Sequence, residues 1–250
     1  MLALSPQRGG VRLPVQLGYA LAGAELVDLA ERRRLEAAAD GLLRVTDPEP
    51  VGDPVLDAAL VDLAGFCVPG RGADDWVHDS GPERVDVYLG ALVESGELRA
   101  KTRRFGSAVG PVQYSRLRPT DKDRRGVLGA ELLAAAADDA DLYQRAFGAL
   151  AHAADIPADV LRRYPDAAAG LARHARQFLY TQLPIPPDAV HDDSDGDGVG
   201  GSDPELGQGN PEDGWRLAIG LAVAAAVEVA TNLTSSSQFT MTRSLSVRWG

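Results

Sequence analysis

The arrangement of apolar residues predicts that most of the chain is helical. Residues 15–35 are apolar on nearly every side, with Leu17, Leu21 and Val27 on one face and further leucines and alanines on the others. A helix that is apolar all round belongs in the middle of a bundle. The pattern therefore predicts a buried central helix that ends in the three arginines at 32–34, where positive charge complements a helix C-terminus.

Further helices are predicted wherever apolar residues recur at intervals of three and four. Asp53 and Pro54 are typical of an N-cap followed by proline at the first helical position. Pro82 is predicted to open another helix, which Gly96 ends as a left-handed cap. The other predicted helices cover residues 142–154, 158–164, 167–183 and 215–232.

The helical period fails between residues 98 and 117. Gly106 and Gly110 separate two short runs there, which is typical of a β-hairpin. The helical period returns at Thr120, which with Asp123 has the spacing of a capping box. Together these patterns predict an all-α fold, a helical bundle around a buried central helix, with one protruding β-hairpin at 98–117.

The composition is that of a globular protein. Hydrophobic residues make up 45% of the chain and charged residues 24%, close to the average for folded domains. The single Cys67 excludes an internal disulfide and a cysteine-based zinc site, and it indicates a reducing, cytoplasmic environment. The most apolar stretch, residues 217–227, is shorter than the ~20 residues that span a bilayer, so we expect a buried core helix there.

Charge is distributed unevenly along the chain. The net charge is −11, yet residues 99–125 contain nine bases and only two acids. A basic hairpin on an acidic body suits a flat anionic partner such as a membrane leaflet, where each nearby base contributes roughly 1 kcal/mol. The competing interpretation is a solvated hairpin whose bases pair with neighbouring acids. Nucleic acid is disfavoured because Phe105 and Tyr114 are too few aromatic residues for a stacking platform.

Two segments near the C-terminus depart from the helical plan. Residues 184–214 contain nine acids and neither Lys nor Arg, which predicts an acidic mobile loop. Within it Asp193, Asp195 and Asp197 match the first half of a calcium loop, but its twelfth position is proline where a bidentate glutamate is needed. Two interpretations of this segment therefore remain, a plain acidic linker and a calcium site. The tail at 234–250 alternates apolar and polar residues, which predicts an amphipathic strand.

No motif in the sequence indicates a catalytic site. The four histidines show neither metal-ligand spacing on one helical face nor a neighbouring serine elbow. His152 and His174 become candidates only if folding gathers carboxylates around them. We therefore expect a protein that is not an enzyme and has no metal and no cofactor.

Several segments together resemble the Golgi phosphoprotein 3 family. They occur in the family's order between residues 15 and 233 and include the strings LGYALAGAELVDLAERRRLE (17–36), PVGDPVLDAAL (50–60), LVESGEL (92–98) and LAHAADI (150–156). The resemblance implies a mostly helical fold around a buried central helix, with a hairpin used in self-association. It also implies a peripheral membrane adaptor that binds phosphatidylinositol 4-phosphate.

The head-group pocket of that family is not matched in this sequence. The family's pocket uses a tryptophan and arginines, and Ala22, Val85 and Val87 stand where arginines are expected. Arg12 and Arg84 are the nearby substitutes. Without its bidentate phosphate donors, the pocket loses the groups that carry such recognition. Lipid contact is therefore expected on the basic segment, through Arg99, Lys101, Arg103, Arg104, Arg116 and Arg118.

We thus expect one Golgi phosphoprotein 3-like domain over residues 1–233, followed by the tail. Its expected function is that of a phosphoinositide-binding-like peripheral membrane or adaptor protein on the inner face of the membrane, self-associated through the hairpin. The alternative is a soluble protein–protein scaffold that pairs through the hairpin and never touches lipid.

Overall fold

One helix lies at the centre of the fold and is covered by the others. The computed structural model describes residues 3–4, 11, 13–67, 71–107, 110–121, 123–156, 160–180 and 211–245. For residues 101–107, 110–116, 211–213 and 234–245 it describes the backbone alone. The helices are α1 (Pro14–Glu31), α2 (Pro54–Phe66), α3 (Ala73–Glu94), α4 (Arg124–Ala134), α5 (Leu142–Ala153), α6 (Pro165–Tyr180) and α7 (Pro211–Leu245). The strands are β1 (Leu35–Ala37), β2 (Leu43–Val45), β3 (Leu98–Ser107) and β4 (Gly110–Pro119).

The prediction of a mainly helical fold with a hairpin is confirmed. Helix α1 is the predicted central helix: it packs against α3, α5 and α7, and Ala22, Leu26 and Leu29 are completely buried. Gly18 on α1 and Gly81 on α3 allow the two helices to cross closely, because a methyl group on Gly18 would collide with the Gly81 carbonyl oxygen. A smaller apolar cluster lies between α4, α5 and α6.

Helix α1 ends earlier than predicted, and the arginines at 32–34 follow it. Arg33 adopts a left-handed conformation with φ 62°, which turns the chain into the buried Leu35 of β1. Strand β1 pairs antiparallel with β2, and Glu36 lies opposite Arg44. Three-residue strands leave no readable period, so this small sheet was not predicted from the pattern.

The predicted helix start at Pro82 is wrong, because α3 already begins at Ala73. The Asp75 carboxylate accepts a hydrogen bond from the Gly72 N–H and so fixes the first turn. Proline inside a helix removes one backbone hydrogen bond, and the burial of Trp76 and Val77 on the preceding turns holds the helix together. Trp76 is therefore a helical core residue.

The structure tests the predicted end of α3 and the predicted start of α4. Gly96 ends α3 with φ 76°, as predicted. The capping box of Thr120 and Asp123 does not form: Asp123 makes no side-chain cap, and the Thr120 hydroxyl donates instead to the Gly96 carbonyl oxygen at 2.6 Å. The hydroxyl thus closes the base of the hairpin.

Helix α7 contains the most apolar stretch and continues beyond it. Residues 214–233 are long and apolar enough to cross a membrane, but half of that stretch is buried inside the protein, where Ile219, Ala222 and Val223 belong to the main core. The predicted strand in the tail is wrong as far as Leu245, because residues 234–245 are helical. Extending an existing helix adds one hydrogen bond per residue fixed, and this segment has no Gly or Pro to stop it.

Some predictions fall outside the described residues. They are Arg12, residues 184–210 of the predicted acidic loop with Asp193, Asp195 and Asp197, and the tail after Leu245. The end of that predicted loop, residues 211–214, is helical, because α7 already begins at Pro211. The predicted helix at 158–164 lies partly outside them as well.

Candidate functional site

The β-hairpin is fixed to the helical body at its base. Leu98, the first residue of β3, is 2% exposed, and β3 packs against α3. At the other strand end the Thr120 N–H donates to the Glu97 carbonyl oxygen at 2.9 Å. The hairpin therefore leaves the body in a set direction.

The strand register sorts the predicted basic residues by face. Residues directly opposite each other in an antiparallel pair lie on the same face, and alternate residues along a strand do so too. Arg99 pairs with Arg118, and Lys101 pairs with Arg116. Arg103, paired with Tyr114, falls on this face as well. We call these five bases, Arg99, Lys101, Arg103, Arg116 and Arg118, the basic face.

Arg104 is the predicted basic residue that the register separates from the others. It pairs with Gln113 and so falls on the opposite face of the ribbon. Phe105 pairs with Val112 and shares the face of the five bases, toward the end of the ribbon that is far from the body. The face therefore runs from paired cations at the base to apolar residues at the tip.

Like charges that face each other across two strands destabilise a hairpin. The pairs Arg99–Arg118 and Lys101–Arg116 are of this kind. Arg99 and Arg118 are exposed, and neither forms an ion pair with any residue that the structure describes. At this end of the basic face, the charge is thus available to an external anion.

Arg84, the predicted substitute in the head-group pocket, lies inside the protein. It is 8% exposed, and its Nε lies 3.0 Å from a carboxylate oxygen of Glu25 on α1, which is completely buried. Its guanidinium carbon also lies 5.2 Å from the centre of the Trp76 ring. A phosphate reaching Arg84 would have to displace Glu25, so this placement argues against Arg84 as a head-group ligand.

Burial dominates the electrostatics around Glu25. Loss of hydration raises the pKa of the Glu25 carboxyl to about 7, while the nearby Arg84 charge acts in the opposite direction. Trp76 and Tyr88 also lie close enough to favour the ionised form, although neither Glu25 oxygen has a hydrogen bond of good geometry. Burial and the Glu25 charge raise the pKa of Tyr88 as well. This cluster combines two charges in the core and is the polar centre of the bundle.

The other positions of the family pocket do not form an open site. Ala22 is completely buried and Val85 is 7% exposed, whereas Val87 points to solvent. Ala22 belongs to the main core and Val85 lines an apolar cavity, so neither position offers a polar partner to a phosphate group.

In the part of the chain that the structure describes, His152, His174 and Cys67 show no activation for catalysis. The pKa of His152 is lowered, chiefly by burial, as is that of the buried His174, whose Nδ1 lies 3.1 Å from the Ala135 carbonyl oxygen. Burial raises the pKa of the Cys67 thiol, which keeps it protonated and unreactive. Within the described ranges, no three His, Cys, Asp or Glu side chains come together as metal ligands.

Two of the cavities in the described part of the chain lie between helices. The larger, about 600 Å³, has Arg145, Phe178 and Arg216 in its wall, and it is bordered by the ends of α6 and α7, which residues 181–210 connect. The smaller, about 260 Å³, lies beside the base of the hairpin. Its described lining is apolar except for the hydroxyl of Tyr88.

Two features of this region were missed by reasoning from the sequence. Glu25 gave a signal, because it is one of two acids in the interior of an otherwise apolar helix. Such a residue needs a buried partner. The small cavity gave no signal in the sequence, because residues far apart in the chain form its wall. They belong to α1, α3, α4, α5, the start of β3 and the N-terminal segment.

A family model described as Golgi phosphoprotein 3 (GPP34) matches residues 1–193. The matched residues include helices α1 to α6 and the hairpin, and they end before α7. No curated protein matches the chain.

Proposed function

The chain belongs to the Golgi phosphoprotein 3 (GPP34) family, and from this premise we propose that it is a non-catalytic peripheral membrane protein. It binds anionic bilayers through the basic face of its hairpin, with little dependence on the identity of the head group. The observation that carries this proposal is the register, which puts five of the six predicted bases on one face.

The charge distribution supports a flat anionic partner. The whole chain has a net charge of −11, so an anionic surface repels most of the molecule and attracts the hairpin. This asymmetry favours an orientation in which the basic face of the hairpin lies against the bilayer. At roughly 1 kcal/mol for each base near the surface, five bases are sufficient for reversible binding.

The apolar residues near the tip of the hairpin favour a bilayer over a soluble polyanion as the partner. Phe105 and Val112 share the face of the bases toward the end of the ribbon that is far from the body, and apolar residues at such a tip gain free energy by entering the interface between head groups and acyl chains. The inward placement of Arg84, and the burial of Ala22 and Val85, favour this general contact over a specific phosphoinositide pocket.

A co-sedimentation experiment with vesicles tests the proposal. The protein is mixed with phosphatidylglycerol vesicles and with neutral phosphatidylcholine vesicles at 50 mM and 500 mM salt. We expect binding to the anionic vesicles at low salt and release at high salt, where the Debye length falls to about 4 Å. Equal recovery on both kinds of vesicle, or no binding at any salt, would contradict the proposal.

Two charge-matched variants locate the contact. Replacing Lys101, Arg103, Arg116 and Arg118 by Ser should lower vesicle affinity at least about 100-fold, since up to about 4 kcal/mol is lost. The control replaces four exposed arginines of the body by Ser, namely Arg44, Arg163, Arg173 and Arg176. It changes the net charge equally and should retain binding within a few-fold. Equal loss in both variants would indicate a net-charge effect without a site.

A soluble scaffold is the second candidate function, and one observation favours it. The hairpin is a two-stranded sheet, so each strand has an edge without a strand partner in the described structure, and such edges pair readily with another chain. Sedimentation of the vesicle-free protein distinguishes the two functions. A stable oligomer that binds neither kind of vesicle would support the scaffold.

A further inference from the structure

The small cavity beside the hairpin has the properties of a site for hydrocarbon. Leu17 and Leu21 of α1, Leu89 and Leu92 of α3, and Phe147 of α5 form much of its wall. Its volume of about 260 Å³ exceeds that of apolar cavities of ~150 Å³ that stay dry and bind small hydrocarbons. It lies below the range of about 300–1,000 Å³ for drug-sized ligands. The size therefore fits a segment of one hydrocarbon chain and excludes a complete two-chain lipid.

Two arginines lie near the edge of the cavity. Leu128 lines the cavity from α4, and Arg124 and Arg125 precede it by four and three residues, so they share its side of the helix. The Arg125 guanidinium donates to the Leu4 carbonyl oxygen at 3.2 Å, and Leu4 is itself part of the wall. Both arginines also lie in the first turn of α4, where the helix dipole favours an anion.

We propose that this cavity takes up a segment of one acyl chain of an anionic bilayer lipid, with the lipid head group at Arg124 and Arg125. The apolar wall would contact the acyl chain, and the two arginines would bind the anionic head group. The inference rests on the proposed function for the source of the chain, because the basic face brings the base of the hairpin to the bilayer. Leu98 connects the two, since it begins β3 and lines the cavity.

Binding of a single-chain lipid in solution tests the cavity apart from the bilayer. The probe is myristoyl lysophosphatidylglycerol below its critical micelle concentration, followed by native mass spectrometry and by calorimetry. We expect one molecule per chain. Glycerophosphoglycerol, which has the same head and no acyl chain, should not bind. Myristoyl lysophosphatidylcholine, which has the chain and no net charge, should bind at least tenfold more weakly.

Filling the cavity should remove the site. Leu128→Trp should lower the affinity for the anionic lysolipid at least tenfold. The matched control is Leu133→Trp on the same helix. Leu133 packs against the same small apolar cluster as Leu128 but does not line the cavity, so this variant should bind as the original chain does. Leu92→Phe, on α3, is a milder second variant if Leu128→Trp does not fold, as judged by circular dichroism.

The outcomes separate this inference from the proposed function. Vesicle binding without lysolipid binding would overturn the acyl-chain site and leave the basic face in place. Lysolipid binding without vesicle binding would support the site and contradict the proposed membrane contact. Lysolipid binding that a folded Leu128→Trp protein retains in full would also overturn the site, because the lipid would then bind elsewhere.

Discussion

The carboxylate of Glu25 lies 3.0 Å from the Nε of Arg84 at a place where Glu25 has no contact with solvent. This ion pair joins the central helix α1 to α3, the helix against which the hairpin packs. Desolvating two charges costs more than their attraction returns unless further hydrogen bonds complete the pair. Those bonds are poor for Glu25, which explains why burial outweighs Arg84 in setting the pKa of the carboxyl.

We predict that Glu25 makes the protein less stable as the pH rises. Its pKa is about 7 in the folded protein against an ordinary value of 4.5, so the folded state holds the proton more tightly than the unfolded state does. The stabilisation is complete below pH 4.5 and is lost as the pH rises through 7. At 1.36 kcal/mol per pH unit, the loss is about 3 kcal/mol.

Glu25→Gln isolates this effect, because glutamine does not titrate. Urea unfolding at pH 5, 6, 7 and 8 should show a free-energy difference between the original chain and the variant that shifts in favour of the variant with rising pH. Glu94→Gln, at an exposed position of α3, serves as the control. A difference that stays constant from pH 5 to 8 would show that Glu25 is ionised throughout.

Arg84 is predicted to act on stability and not on lipid binding. Arg84→Met leaves the Glu25 carboxylate buried without its cation, and breaking such a pair typically costs about 3–5 kcal/mol. Adding Glu25→Gln removes the second charge, so the double variant should recover part of that loss in chemical denaturation. The folded double variant should still bind anionic vesicles. Loss of vesicle binding in that folded variant would contradict this prediction and would indicate that Arg84 takes part in lipid binding.

The sequence was sufficient for the fold wherever long periodic segments coincide with burial. The all-round apolar pattern of α1 predicts its central position, and the glycines at 106 and 110 predict the hairpin. It failed at Pro82, because packing of Trp76 and Val77 overrides the tendency of proline to begin a helix. It failed again after Thr234, where five alternating residues are a weaker signal than an existing helix.

The candidate site could be predicted only as a set of residues. The cluster of bases is visible in the sequence, but the strand register decides that Arg103 and Arg104, although adjacent, fall on opposite faces. Similarly, Arg84 looked available because sequence proximity to a pocket position does not indicate burial. Only the crossing of α1 and α3 brings Glu25 against it.

We predict that the crossing of α1 and α3 tolerates no side chain at Gly18. Gly18→Ala would drive a methyl group into the Gly81 backbone, which cannot move aside as a side chain can, so we expect a loss of about 1–3 kcal/mol or more. Gly90→Ala, at a position of α3 with open space around it, should instead stabilise the protein by about 0.5–1 kcal/mol. Thermal and urea unfolding measure both, and equal effects of the two changes would contradict the close crossing.

The register also makes a prediction about two neighbouring arginines. Arg103→Ser removes a charge from the basic face and should weaken binding to phosphatidylglycerol vesicles about fivefold, the equivalent of roughly 1 kcal/mol. Arg104→Ser removes the same charge one residue later, on the opposite face of the ribbon, and should change the affinity less than about twofold. Because both variants have the same net charge, long-range attraction cannot account for a difference between them. Equal losses would mean that the ribbon approaches the bilayer edge-on or tip-first, and the basic face would then not be the contact surface.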